Sequence, residues 1–139
     1  MIKQLRKPEY DRLLKLNDDR VTVGVHEEEG SKTHPNPDEK GEPITVAEVA
    51  ANNEFGLGVP QRSWLRGWVD TTDFQQVIKV TSDDAAHLAE TIAPQLEASI
   101  KARIRTSIPP PNAPRTIQRK GHGNTLIDTE TFINAIKAK

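Results

Sequence analysis

Cysteine is absent from this 139-residue chain, so neither a disulfide frame nor a thiolate metal site can form, and a reducing compartment is allowed without being required. Aromatic residues make up only 4% and hydrophobic residues 35%. That leaves a thin core for one domain of this size, and burial shared between subunits would help it. There is no long apolar run and no signal-peptide pattern, so the expectation is a soluble chain made in the cytoplasm, without a membrane. Enzyme signatures are missing too. There is no G-x-S-x-G and no P-loop, and Gly56-Leu57-Gly58 lacks the third glycine of a dinucleotide fingerprint. His26, His34, His87 and His122 include no pair at metal-ligand spacing. His26 beside Glu27 to Glu29 could catch a divalent ion adventitiously, but zinc sites need three or four converging ligands. The expectation is no enzyme, no metal and no cofactor.

The formal net charge of −1 hides an uneven distribution. Glu27, Glu28, Glu29, Asp38, Glu39 and Glu42 face only Lys32 and Lys40 in their interval. From Ala98 to Ile127 there is no acid at all, while Lys101, Arg103, Arg105, Arg115, Arg119 and Lys120 supply cations. Such runs often only keep a surface solvated. A sharper reading has the acidic loop of one subunit facing the basic segment of its neighbour, which would set orientation and partner choice. In a third, the basic 101–120 segment holds DNA phosphates without reading bases, but no aromatics alternate with these cations as a stacking platform requires.

Local pattern gives the scaffold. Tyr10, Leu13, Leu14 and Leu16, opened by Pro8 and closed near Asn17, read as a short docking helix. Val21, Val23 and Val25 alternate with Thr22, Gly24 and His26, a strand with one apolar face. The interval of about 27–43 is polar, rich in Pro and Gly and without periodicity, so it is expected to be a long mobile loop. Ser82, Asp83 and Asp84 predict the start of a long central helix to about Ser107, with Leu88, Ile92, Leu96, Ile100, Ile104 and Ile108 every four residues. Alanines 85, 89 and 93 widen this line. Pro94 should bend or break that helix. Pro109 to Pro111 predict a stiff corner, Asn112 a cap for a short helix to about Lys120, and Gly121 and Gly123 its end. Asp128 predicts the cap of a last helix, with Ile127 and Phe132 as its staple. The fold class is therefore α+β, mostly helical with a small antiparallel sheet, in a single domain spanning 1–139.

Residues 44–70 pack the most information. Thr45 and Glu48 form a capping box, with Ile44 and Val49 as its staple, and predict a helix from Val46 to about Asn53. Gly56 and Gly58 then offer the positive φ angles that end it. Pro60 extends Val59, and Leu65, Trp68, Val69 and Thr72 fall at i, i+3, i+4 and i+7 of a second helix starting near Gln61 to Ser63. That helix is expected to continue through Phe74, Val77 and Ile78.

The run AEVAANNEFGLGVPQRSWLRGWVD resembles the tail-completion or neck proteins of long-tailed bacteriophages and prophages, where a helix ends in an N-E-F-G turn followed by P-x-R-x-[FW]-[LI]-R. Asn53, Glu54, Phe55, Gly56, Pro60, Arg62, Trp64, Leu65 and Arg66 fill those positions. The C-terminal run IRTSIPPPNAPRTIQRKGHGNTLIDTETFINAI looks like the same family's second signature, carried by Ile104, Pro109, Pro110, Pro114, Thr116, Ile117, Arg119, Lys120, Gly121, Leu126, Ile127, Asp128 and Thr129. The two blocks cover about half of the chain, in matching order. Members usually have glycine after L-I-D-T and continue past the last helix into a strand. Glu130 stands at that glycine's place here and the sequence ends at Lys139, which leaves the closing strand open.

The resemblance implies a structural virion protein that completes the tail and joins it to the head as a ring of identical subunits, a hexamer around the channel through which DNA passes. Its partners would be sister copies and the connector, tail-terminator or tail-tube proteins. Its place would be the virion neck, after assembly in the host cytoplasm. A tail terminator capping the tube is the alternative within this class, and a small nucleic-acid-binding module using residues 101–120 is the alternative from another.

Candidate contact residues are Glu54, Phe55, Pro60, Arg62, Trp64, Leu65, Arg66, Arg103, Arg105, Arg119 and Lys120. Trp and Arg are the types most enriched at binding hot spots. Arg62 and Arg66, four apart on one expected helical face, could clamp a neighbour's carboxylate, with Glu54 as a candidate partner. On the plainer reading Phe55, Trp64 and Leu65 are core and the arginines surface.

Overall fold

The computed structural model describes residues 20–81 and 87–139. The expected helix over Pro8 to Leu16 and the cap of Ser82, Asp83 and Asp84 lie outside the described residues. The described chain is α+β and mostly helical, with one small antiparallel sheet.

The alternation around Val23 does make a strand, β1 (Val23–Val25), and its partner comes from the far end of the sequence, β2 (Ile136–Ala138). They pair antiparallel with Val23 opposite Ala138 and Val25 opposite Ile136, and reciprocal bonds between Thr22 and Lys139 (2.7 and 2.9 Å) extend the ladder. A closing strand is thus present, over the three residues that precede Lys139. Next comes α1 (Glu27–Gly30), a single turn whose Gly30 lies against Val25 and Ala47. The stretch expected to be a loop is more ordered than its composition suggests. Thr33 bridges Thr45, the His34 N–H donates to the Ile44 carbonyl (2.8 Å), and the Asp38 carboxylate accepts the N–H groups of Lys40 and Glu42 to close a turn at Gly41. Its bonds are made by side chains and across the turn, so no helical or strand period betrays them.

Helix α2 (Val46–Phe55) begins with the expected capping box, the Glu48 N–H donating to Thr45 Oγ1 (3.2 Å) and the Thr45 N–H to Glu48 Oε2 (2.7 Å). These bonds from Thr45 hold the Glu48 carboxyl below the usual range. The helix ends at Gly56, φ 70°. A side chain there would put its Cβ 2.9 Å from that of Gln61, so both backbone angle and space call for glycine.

The second helix is shorter than its stripe predicts. Helix α3 (Arg66–Thr71) starts only at Arg66, and α4 (Phe74–Val77) is a separate turn capped by Asp73. Residues 61–65 stay non-helical because the Glu54 carboxylate binds Ser63 Oγ and the Leu65 and Arg66 N–H groups, fixing where the helix begins. The long helix α5 (Leu88–Arg105) runs unbroken through Pro94. Its four-residue apolar line drifts: Ile100, Ile104 and Ile108 are buried, whereas Leu88 and Ile92 are only partly covered.

Two expected caps are corrected. Helix α6 (Pro114–Lys120) has Pro114 at its first position and Ala113 before it, while the Asn112 amide donates to the carbonyls of Gly123 and Asn124. Its end at Gly121, φ 82°, is as expected. Helix α7 (Thr131–Ala135) begins after Glu130 rather than after Asp128. Leu126 and Glu130 both adopt positive φ (63° and 62°), so the chain turns twice before the helix and carries Asp128 away from its N-terminus. Ile127 and Phe132 are buried in the core instead of flanking a cap there.

One cluster unites these elements: Ala50, Trp64, Trp68, Ile100, Ile104, Ile108, Ile127, Phe132, Ile133 and Ile136. Trp64 meets Phe132 edge-on at 5.1 Å, and Trp68 meets Phe74 likewise at 5.2 Å. Each indole N–H is satisfied, Trp64 by the Ala50 carbonyl (3.0 Å) and Trp68 by Ser99 Oγ (2.9 Å). The tryptophans therefore build the interior of one chain, which decides for the core reading of Trp64 and against its place among the candidate contact residues. Both are at most 4% exposed.

Candidate functional site

The two sequence blocks singled out above meet directly. Arg62 lies in the non-helical stretch before α3, and its guanidinium donates from Nε to the Pro110 carbonyl (2.8 Å) and from Nη2 to the Pro111 carbonyl (3.3 Å). It is only 6% exposed. Arg66, by contrast, is exposed and pairs with Asp70 one turn on (3.3 Å). The expected arginine clamp does not form, since one residue is outside the helix and buried while the other points to solvent. Glu54, also expected to meet an arginine, spends its carboxylate on Ser63 Oγ (2.8 Å) and on two backbone N–H groups.

The basic segment is largely committed to its own chain. Arg103 lies over Gly67, donating to the Ser63 carbonyl (3.4 Å) and to Thr71 Oγ1 (3.3 Å). Arg105 pairs with Glu130 and Arg119 with Asp128 (3.3 and 2.9 Å). Lys120 donates to the Asn124 carbonyl (2.7 Å). Asp128 also accepts from the Asn36 amide (2.7 Å), so the stretch before α2 is tied to α6 within one molecule.

Around Arg62 lies a cavity of about 240 Å³, lined among others by His34, Thr116, Arg119, Lys120 and Asp128. Burial lowers the Arg62 pKa from its usual value. Lys120 is lowered as well, chiefly by burial and further by Arg119 and Arg62, against the opposing pull of Asp128. A larger, open groove of about 580 Å³ runs alongside, with Ile44, Val49, Leu57 and Val59 on its apolar side and Asp38 on its polar side. Of the expected contact residues, Phe55 and Pro60 are exposed, Leu65 is half-buried, and Trp64 is in the core.

Sequence reasoning missed Leu57, 56% exposed next to Phe55 at 66%. The glycines on either side of Leu57 were the available signal, because a large apolar residue held on a glycine turn has little chance of reaching a core. Among the described residues no three His, Asp or Glu side chains converge to hold a metal ion, and no helix is long and apolar enough to cross a membrane. The chain matches no protein-family model, no curated protein and no solved structure.

Proposed function

We propose that this chain is a structural protein of the neck of a long-tailed bacteriophage, completing the tail and joining it to the head as a ring of identical subunits. The observation that carries this reading is the contact between Arg62 and the carbonyls of Pro110 and Pro111. The motifs on which the resemblance rests lie far apart in sequence yet bind one another, as parts of a single family framework would. The work is mechanical. It needs surface contacts and neighbours such as connector, terminator or tube proteins, with no turnover and no cofactor.

The contact surface in this reading is the turn after α2. Phe55 and Leu57 stand out beside a groove with an apolar wall, and exposed apolar patches rimmed by polar groups mark protein contacts. A second copy is the occupant that a ring requires. The nucleic-acid reading draws little support from the basic segment, because Arg103, Arg105 and Arg119 each bind an acceptor of their own chain. Light scattering on the purified protein, with cryo-EM of the intact particle, tests the proposal: a ring at the head–tail junction is expected, and a strict monomer missing from particles overturns it.

A further inference from the structure

The cavity beside Arg62 holds an imbalance of charge. Of the acids on its wall, Asp128 is engaged by Arg119 and Asn36, and Glu130 by Arg105. That leaves Arg62 and Lys120, whose hydrogen bonds go to neutral carbonyls of Pro110, Pro111 and Asn124. Among the described residues neither forms an ion pair with a carboxylate. A buried guanidinium without a counter-charge is costly, and backbone carbonyls meet only part of that cost. Thr116 adds a hydroxyl to the same wall.

We propose that this cavity binds a compact tetrahedral oxyanion, inorganic phosphate or sulfate, between Arg62 and Lys120. Among the described residues Arg62 has no counter-charge and Lys120 feels Asp128 only beyond ion-pair distance, so the wall between them stays net positive toward an anion. The Nε edge of Arg62 is spent on the two proline carbonyls, but its Nη1–Nη2 edge keeps donors for paired oxygens, and a lysine supplies a point charge that adapts to a third. Arg62 is already held by the proline corner, so the site loses little side-chain freedom on binding. The ligand would also join the stretch before α3 to α6, stiffening the junction of the two sequence blocks. A bulky duplex is a poor fit, since Arg62 lies nine-tenths buried in a space of about 240 Å³.

Thermal unfolding of the full chain in sodium phosphate against sodium chloride at equal ionic strength tests the site. The expected result is a saturable rise in Tm with phosphate and with sulfate that chloride does not reproduce. Lys120→Gln should weaken phosphate binding by about tenfold or more, the scale of one lost charge-assisted bond. Equal shifts in both salts, or unchanged affinity in K120Q, overturn the proposal. Should K120Q fold poorly, ¹H–¹⁵N spectra of the unsubstituted protein decide. The Arg62 Nε–H and Lys120 amide signals should move along one binding curve, whereas movement confined to exposed Arg66 and Arg115 would mean superficial ion pairing and sink the idea.

Discussion

Glu54, on the last turn of one helix, accepts the backbone N–H of Leu65 at 2.8 Å and so sets the first residue of the next helix. The same carboxylate takes the Arg66 N–H and the Ser63 hydroxyl while being only 6% exposed. Replacing it strands three partly buried donors at once. Glu54→Ala is expected to cost about 2–4 kcal/mol, and Glu54→Gln, which turns an NH₂ group toward donors, about 1–3 kcal/mol. Urea unfolding of both variants checks this. A loss below about 0.5 kcal/mol, the scale of an ordinary surface change, would show that the cap contributes little.

Two glycines flank Leu57 with nearly the same φ, 70° at Gly56 and 72° at Gly58, yet only Gly56 is crowded. Gly58→Ala should therefore cost only the left-handed backbone term, about 1 kcal/mol. Gly56→Ala adds a clash with Gln61 and should exceed it by about 1 kcal/mol or more. Equal losses in parallel denaturation curves would contradict the steric argument.

Glu130 holds φ 62° immediately before α7, at the place where the resembling family carries glycine. Its exposed ion pair with Arg105 offsets little of the strain. Both Glu130→Gly and Glu130→Ala remove that pair, so comparing them isolates the backbone. The glycine variant should be more stable by about 1 kcal/mol. An alanine variant of equal stability would mean that the turn relaxes.

Local features were legible wherever one short stretch decides its own conformation. The Thr45–Glu48 box, the ends at Gly56 and Gly121 and the valine strand all follow from neighbours within a turn or two. What failed was settled at long range. Asp128 looks like a cap but is drawn to Asn36, far back in the sequence. Arg62 and Arg66 share a helical spacing, but Glu54 delays the helix until Arg66 and the proline corner claims Arg62. Trp64 read equally well as core or interface, and only the arrival of Phe132 and the Ala50 carbonyl decides for core. The Arg62–Lys120 cavity joins both blocks, so no single window could display it.

If the proposed ring forms through the turn after α2, Phe55 and Leu57 should matter to assembly and hardly at all to folding. Both are more than half exposed, and surface changes usually stay within about 0.5 kcal/mol. The double variant Phe55→Ser with Leu57→Ser is expected to unfold at the same urea concentration as the parent but to run as a monomer by light scattering. A double variant that still assembles would place the subunit contact elsewhere.

Glu97 ties α5 to the closing strand: its carboxylate accepts the Ala138 N–H (3.1 Å) and pairs with Lys101 (2.8 Å). Burial alone would raise its pKa, but the Lys101 bond, the Ala138 N–H and the charges of Lys101 and Lys137 outweigh this and leave it below the usual carboxylate range. A carboxyl whose pKa is depressed in the folded state stabilises the protein above its unfolded pKa, and that contribution disappears as pH falls through the lower, folded value. Unfolding free energies of the parent and Glu97→Gln should thus differ by about 1–2 kcal/mol at neutral pH. The gap should narrow below about pH 4.5, the ordinary carboxylate range, as the parent loses its charge. Because Ala138 is one of the three residues of β2, the loss should show first as faster hydrogen exchange at the Thr22–Lys139 end of the sheet. A gap that stays constant down to the acid transition would mean that the carboxylate charge contributes nothing to holding the strand.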